Sequence, residues 1–172
     1  MIPSWWKKET PPSPTFNARS EEASQKPMWR HSLHTMRCLM PARGWYEWNE
    51  NEPVHGESGR KVKQPYSIFC PDAEVIAFAG LWSFWERPGT ASVVSCALLT
   101  KDAAPRIAAI HHRMPVVLKP EQYDRWVDPS ITAAGIEGLV AGAREDFEGY
   151  PISTRVNNTR NDYPELLEKV RP

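Results

Sequence analysis

Short apolar runs separated by proline, glycine and polar residues make up most of this chain, a pattern that predicts strands and turns rather than long helices. The polar stretch from Asn49 to Lys63, which contains Gly56 and Gly59, predicts a hairpin loop. The runs that predict strands are RCLMPARGWYEW (37–48, bent between Pro41 and Gly44), YSIFC (66–70), VIAFAGLW (75–82), SVVSCALLT (92–100), a short run ending at Leu118, and YPIS (150–153).

Helical periodicity is confined to a few short segments. The first runs from Ser20, as its N-cap, to about His34, and Pro27 is expected to kink or interrupt it. Residues 1–19 predict an extended segment or loop, because the prolines of the PPSP cluster at 11–14 prevent a continuous helix. The other predicted helices or helical turns are 104–109, 119–127, 131–141 and 164–170.

Size and composition indicate one packed domain over residues 1–172. The chain is 41% hydrophobic and contains eight Trp, enough apolar surface for a core. Basic and acidic residues balance at 21 each, so any nucleic-acid site must be local. No run approaches the roughly 20 apolar residues of a membrane span, and no secretory signal is visible. Cys38, Cys70 and Cys96 lie inside apolar runs and form no CxxC pair, which favours buried, reduced thiols in a cytoplasmic protein.

Glu47 is the first candidate for chemistry, because Trp45, Tyr46 and Trp48 flank it within a predicted strand. Aromatic neighbours that remove water from a carboxylate raise its pKa toward neutrality, which suits it to proton transfer. Strand alternation leaves an alternative open, in which Glu47 faces solvent and the aromatic side chains lie on the other face.

The adjacent His111 and His112 form a second candidate, since histidine titrates near neutral pH and the pair precedes Arg113 at a predicted turn-to-strand junction. Consecutive residues of an extended stretch point in opposite directions, so one of the two could face a cleft. His31 and His34 have helical spacing but no matching ligand set, so we expect no metal and read them as surface residues.

Trp5 and Trp6, together with Asn17 and Arg19 in FNAR, form a third candidate. Aromatic side chains on a loop can stack on bases, while arginine and asparagine can hold phosphate or sugar oxygens. The alternative is that both tryptophans belong to the core and that Arg19 pairs with a surface acid.

The order of PSWW, FNARSE, RCLMPARGWYEW, KQPYSIF, FAGLW, CALLT, IHHRMPVVL, YPIS and VNN resembles the SRAP (SOS response-associated peptidase) family over essentially the whole chain. The resemblance implies an α+β, β-rich fold, with strands packed as a distorted barrel and a few short helices. It also implies a groove that binds single-stranded DNA containing abasic sites, with no cofactor, in a protein that we expect to be monomeric.

Residue roles follow from the same resemblance. Asn17 and Arg19 match positions that line the lesion pocket and hold the DNA backbone. Glu47 matches a proton donor and acceptor, and His111 matches a residue that moves a proton as the sugar ring opens. The positions that match DNA contacts are Arg113, Thr100, Trp5 and Trp6.

The family is also expected to carry a cysteine directly after its initiator Met. The α-amine of that cysteine forms a Schiff base with the opened sugar, its thiol closes a thiazolidine, and the enzyme removes its own leading residue. This chain begins Met1-Ile2-Pro3, so we expect the segment with the nucleophile to be missing from it. Two other hypotheses remain: a remnant that only binds single-stranded DNA, and a cysteine hydrolase that uses Cys96 with His111.

Overall fold

The computed structural model of the protein describes residues 1–8, 10–11 and 14–170. The chain forms two compact units, each made of three separated stretches. Unit 1 comprises Met1–Pro41, Ala77–Lys101 and Pro115–Arg144, and unit 2 comprises Ala42–Ile76, Asp102–Met114 and Glu145–Pro172. The predicted α+β, β-rich class with a few short helices is confirmed. The single domain remains a prediction.

Strands outnumber helices along the described chain. The strands are β1 (Asn17–Arg19), β2 (Arg37–Ala42), β3 (Gly44–His55), β4 (Lys61–Phe69), β5 (Ile76–Trp85), β6 (Val93–Asp102), β7 (Arg113–Pro115), β8 (Val117–Leu118) and β9 (Glu148–Pro151). The helices are α1 (Ser20–Ala23), α2 (Pro27–Thr35), α3 (Tyr123–Val127) and α4 (Ala133–Ala141), with 3₁₀ turns at Pro120–Gln122, Thr154–Asn157 and Pro164–Leu167.

Unit 1 is built on a sheet with the strand order β1-β6-β5-β2, and β8 pairs with β5. β1 runs parallel to β6, whereas β5 and β6 are antiparallel. One face of this sheet packs against the helices, because apolar side chains alternate on the strands and recur on one side of each helix. The core formed in this way includes Ala18, Ala79, Leu81, Ala97 and Leu99 from the sheet and Trp29, Leu33, Trp126, Ile136 and Leu139 from the helices.

Arg37 is a buried cation at the start of β2, with only 6% of its surface exposed. Its guanidinium donates hydrogen bonds to four backbone carbonyls, those of Leu33 and His34 at the end of α2 and those of Trp126 and Asp128 at the end of α3. The last turn of a helix leaves carbonyls without intrahelical partners. Arg37 therefore satisfies the ends of two helices at once.

Unit 2 contains the antiparallel sheet β3-β4-β9, with Ile68, Phe147 and Ile152 fully buried. The predicted hairpin loop over 49–63 is too long. β3 continues to His55 through a register shift, and the reversal is confined to a turn in which Gly56 N–H donates to the Arg60 carbonyl at 2.9 Å. The prediction of a loop rested on polar side chains, but exposed polar side chains do not prevent the backbone of residues 53–55 from pairing with that of residues 61–63.

Most other predicted elements are confirmed, with shifted boundaries. The helix predicted from Ser20 is two helices, because Pro27 lacks an N–H and begins α2, and Arg19 rather than Ser20 is the N-cap of α1. Residues 104–109 form hydrogen-bonded turns. The expected burial of the cysteines holds for Cys70 but is wrong for Cys96, which is exposed because it alternates with the buried Ala97 along β6. Part of the predicted PPSP segment, Pro12 and Ser13, lies outside the described residues.

Among the described residues, no helix is long and apolar enough to cross a membrane.

Gly44, the first residue of β3, has no room for a side chain. A Cβ atom added there would lie 2.2 Å from the carbonyl oxygen of Ile68 on β4. We expect Gly44→Ala to lower the free energy of unfolding by about 1–3 kcal/mol, because the paired strands must move apart.

The measurement is urea denaturation followed by tryptophan fluorescence. Gly138→Ala is the matched control, since nothing lies within 4 Å of a Cβ at this position in α4, and alanine there should stabilise the helix by roughly 0.5–1 kcal/mol. A Gly44→Ala midpoint at or above that of the wild type would contradict the expectation.

Candidate functional site

Glu47 and His111 meet in unit 2. Glu47 lies on β3 opposite Tyr66 of β4, and His111 follows the turns that end at Ile110. The Nδ1 atom of His111 is 3.5 Å from Oε2 of Glu47, and the two side chains are 29% and 18% exposed, respectively. The structure thus brings together the carboxylate and the imidazole that the sequence singled out separately.

Burial raises the pKa of Glu47, while the nearby His111 and a side-chain hydrogen bond with Trp45 act in the opposite direction. Trp45 shares the strand face of Glu47, because residues two apart on a strand point the same way. Its ring packs edge-on against Phe147, with centroids 5.0 Å apart. The alternative in which Glu47 faces solvent, with its aromatic neighbours on the other face, is therefore wrong: the Glu47 side chain is 18% exposed and shares its face with Trp45.

The backbone of Arg113 also holds the His111 ring. Nδ1 of His111 lies 3.2 Å from the N–H of Arg113 and 3.0 Å from its carbonyl oxygen. A neutral ring protonated on Nε2 accepts from the N–H, whereas a ring protonated on Nδ1 donates to the carbonyl or to Glu47. His112 is exposed, and its ring centroid is 4.6 Å from that of His111.

Arg113 itself is only partly available to a ligand. Its Nη1 atom donates to Oδ1 of Asp102 at 2.6 Å, and its side chain is 15% exposed, whereas that of Asp102 is 89% exposed. No local sequence pattern predicted this pairing. A phosphate contact by Arg113 remains a prediction, and such a contact would compete with Asp102.

Asn17, Arg19 and Thr100 share one face of the unit 1 sheet. In the parallel pairing of β1 with β6, Asn17 lies opposite Leu98 and Arg19 opposite Thr100, while Ala18 between them is buried. Asn17 and Arg19 are exposed, and Nη1 of Arg19 is 3.8 Å from Oε1 of Glu22. Thr100 is 9% exposed, and its hydroxyl donates to the Ala18 carbonyl at 3.5 Å. Two of the three residues are thus open to a ligand.

Trp5 and Trp6 lie at an N-terminal turn of unit 1, in which the Trp6 N–H donates to the Pro3 carbonyl at 3.0 Å, and their ring centroids are 5.5 Å apart in an edge-on arrangement. The turn is anchored at Trp6, whose carbonyl accepts from Nε1 of Trp85 at 2.8 Å and from Arg87 at 2.6 Å. Trp5 is 49% exposed. The two tryptophans line a cleft of about 550 Å³ whose other described lining residues are Lys7, Lys8, Thr10 and Pro11.

A larger pocket of about 790 Å³ lies in unit 2, away from Glu47 on the opposite strand face, where Tyr46, Phe69 and Tyr150 contribute aromatic walls. Near it, Cys70 donates to Oδ1 of Asp72 at 2.9 Å. Potential ligand atoms of Cys70, Asp72 and Asp146 lie within 4.8 Å of one another, the one such cluster found among the described residues. Sequence reasoning missed this cluster because Asp146 is distant in the chain.

The chain matches the model of the family described as SOS response associated peptidase (SRAP) over residues 1–159. It therefore belongs to this family. Two relatives carry the name abasic site processing protein. YoqW of Bacillus subtilis is 34% identical over 98% of this chain and 73% of its own length, and HMCES of Gallus gallus is 30% identical over 99% of this chain and 55% of its own length.

The fold is also similar to that of a solved structure. A crystal structure of a protein from Bacteroides thetaiotaomicron superposes with a TM-score of 0.82 and 26% sequence identity, covering 99% of this chain and 74% of that one. The β-rich fold expected from the resemblance is thereby confirmed.

Proposed function

We propose that this protein recognises abasic sites in single-stranded DNA and promotes opening of the damaged sugar. The observation that carries the proposal is the contact between the half-buried Glu47 and His111 within unit 2. The abasic-site processing named for the relatives YoqW and HMCES supports the same substrate.

An abasic sugar exists mostly as a closed hemiacetal, and opening it breaks the bond between C1′ and the ring oxygen. The anomeric hydroxyl must lose a proton, and the ring oxygen must gain one. Glu47, whose pKa is raised by burial, supplies the proton, and neutral His111 accepts the other. Exchange between the two groups across their 3.5 Å contact then restores the starting state. The pair therefore needs no cofactor for this step.

Binding of the DNA strand falls to separate residues. Asn17 and Arg19, exposed side by side on β1, hold the backbone at the lesion, and Trp5 and Trp6 stack on flanking bases. Because basic and acidic residues balance over the whole chain, these few contacts supply the electrostatic attraction. Binding should therefore weaken steadily with added salt.

A second candidate function is recognition without a covalent step. Thiazolidine formation needs a thiol and an α-amine on one residue, and Cys38, Cys70 and Cys96 are all internal. None of these three thiols can close a thiazolidine in this way, which favours reversible binding.

The test uses two fluorescent single-stranded oligonucleotides that differ only in one abasic site. We expect the dissociation constant for the abasic strand to be at least about tenfold lower, the equivalent of about 1.4 kcal/mol. Equal affinities would overturn the proposal. A denaturing gel of the same mixtures tests the second candidate, because a band that survives denaturation reveals a covalent product and would exclude it.

A further inference from the structure

One face of the unit 1 sheet packs on the core, and the opposite face, here called the second face, holds an exposed apolar strip. Side chains of directly paired residues lie on the same side of a sheet, and the register pairs Gly80 with Leu98, Trp82 with Cys96 and Phe84 with Val94. The second face continues across β1 through Asn17 and Arg19 and across β2 through Cys38 and Met40, whose side chains lie over Gly80.

The strip is most exposed where β5 and β6 approach their connecting loop. Phe84 and Val94 are 42% and 69% exposed, Cys96 is also exposed, and Trp82 is half-buried. The opposite side chains of the same strands, such as Leu81 and Ala97, are buried, so loose packing of the sheet is not the cause. Continuous apolar runs are typical of strands covered on both faces. Contiguous exposed apolar patches of this kind are typical of surfaces that bind another molecule.

We propose that bases of single-stranded DNA beside the lesion stack on Trp82 and Phe84. The inference rests on the proposed function and extends its binding surface. Asn17 and Arg19 occupy the same face, and Leu98, Cys96 and Val94 follow Thr100 in alternate positions along β6. Successive positions on one strand face are about 7 Å apart. A strand held at Asn17 is therefore led along β6 to the aromatic side chains.

The chemistry of the strip suits nucleobases. The second-face positions on β6 from Val94 to Thr100 and on β5 from Phe78 to Phe84 hold no carboxylate, so a phosphate backbone meets no like charge there. Stacking on aromatic rings accepts every base, since each base has a π-face. Trp82 and Phe84 would therefore bind flanking nucleotides whether or not the strand carries a lesion.

The first experiment measures dissociation constants of Phe84→Ala for the intact and the abasic oligonucleotide. We expect both constants to rise about fivefold or more, by a similar factor, because stacking is lost and lesion recognition is not. Phe84→Tyr keeps the ring and should bind like the wild type. Val127→Ala, which trims an exposed apolar residue on α3 of the same unit, is the matched control and should change neither constant.

The second experiment uses Cys96 as a reporter in the unchanged protein. Cys96 is exposed, whereas Cys70 is buried, and burial raises the pKa of the half-buried Cys38 to about 11. Maleimide should therefore modify Cys96 first, since the thiolate is the reactive form. We expect the intact oligonucleotide to slow this reaction in proportion to the fraction of protein bound, as followed by peptide mass spectrometry.

The two experiments separate the inference from the proposed function. The ratio of abasic to intact affinity tests lesion recognition, whereas the Phe84 effect on both constants and the protection of Cys96 test the strip. Suppose that the abasic strand still binds more tightly than the intact strand, but Phe84→Ala changes neither dissociation constant and DNA does not protect Cys96. That result would overturn the inference and leave the proposed function standing. Protection of Cys96 without DNA, together with a dimer in sedimentation that Phe84→Ala dissociates, would assign the strip to a second copy of this chain instead.

Discussion

Arg37→Met is expected to lower the free energy of unfolding by about 3–5 kcal/mol, because breaking a buried hydrogen-bond network is among the most costly single substitutions. The substitution keeps an unbranched apolar stem but removes every donor to the four carbonyls that the guanidinium satisfies. Each buried carbonyl left without a partner costs about 1–3 kcal/mol when water cannot reach it. Urea denaturation followed by circular dichroism measures the loss.

Two further variants identify the cause. Arg37→Lys retains the positive charge but replaces the planar fork with one ammonium, so it should recover only part of the loss. Arg30→Met makes the same chemical change at an exposed position of α2 and should alter stability by less than about 0.5 kcal/mol. If Arg37→Met unfolded at the same urea concentration as Arg30→Met, the carbonyl network would not be a source of stability.

Glu47→Gln is expected to slow opening of the abasic sugar by a factor of about 10²–10⁴, the usual contribution of a positioned acid or base. Glutamine has nearly the same shape but cannot release a proton to the ring oxygen. The assay adds a hydroxylamine probe in excess to abasic DNA saturated with protein and measures the rate of oxime formation with the opened aldehyde. Affinity for the intact oligonucleotide should not change.

The stability of the Glu47→Gln variant shows whether its fold is intact. Burial raises the pKa of Glu47, so the folded chain holds this proton more tightly than the unfolded chain, whose pKa is about 4.3. The resulting stability is complete below about pH 4.3 and is lost as the pH rises through the folded pKa. Glutamine does not ionise, so the variant does not lose this stability as the pH rises. Its thermal midpoint should equal or exceed that of the wild type at pH 7.5, and the difference between the two midpoints should disappear near pH 4.

His111→Asn should reproduce the kinetic loss, because it removes the group that accepts the second proton. An oxime rate unaffected by either substitution would rule out the Glu47 and His111 pair as the acid and base. A lower rate accompanied by a lower thermal midpoint at pH 7.5 would instead indicate damage to the fold.

Much of the fold was predictable, because burial alternates along strands and proline marks breaks. The boundary at Pro27 and the bend between β2 and β3 follow from backbone chemistry alone. The extension of β3 to His55 does not, since its pairing depends on β4 and not on its own polar side chains. Local sequence patterns therefore predict that a helix or strand is present more reliably than they predict the residue at which it ends.

The candidate site was predictable residue by residue but not as an arrangement. The aromatic setting of Glu47 and the titration range of His111 each suggested proton transfer, yet their contact joins positions far apart in the chain. Asp102 was missed because an exposed aspartate at the end of a strand carries no local signal, and its pairing with Arg113 exists only after the intervening turns fold. The exposure of Phe84 likewise depends on which strands cover it.

Neither compact unit is a continuous stretch of chain, because each collects three separate pieces of the sequence. No single truncation can yield either unit alone, and no single protease cut can separate the two units from each other. During synthesis, the sheet formed by β3 and β4 must wait for β9, which begins at Glu148, so it stays incomplete until β9 has left the ribosome. Sequence-distant pairing of this kind slows folding.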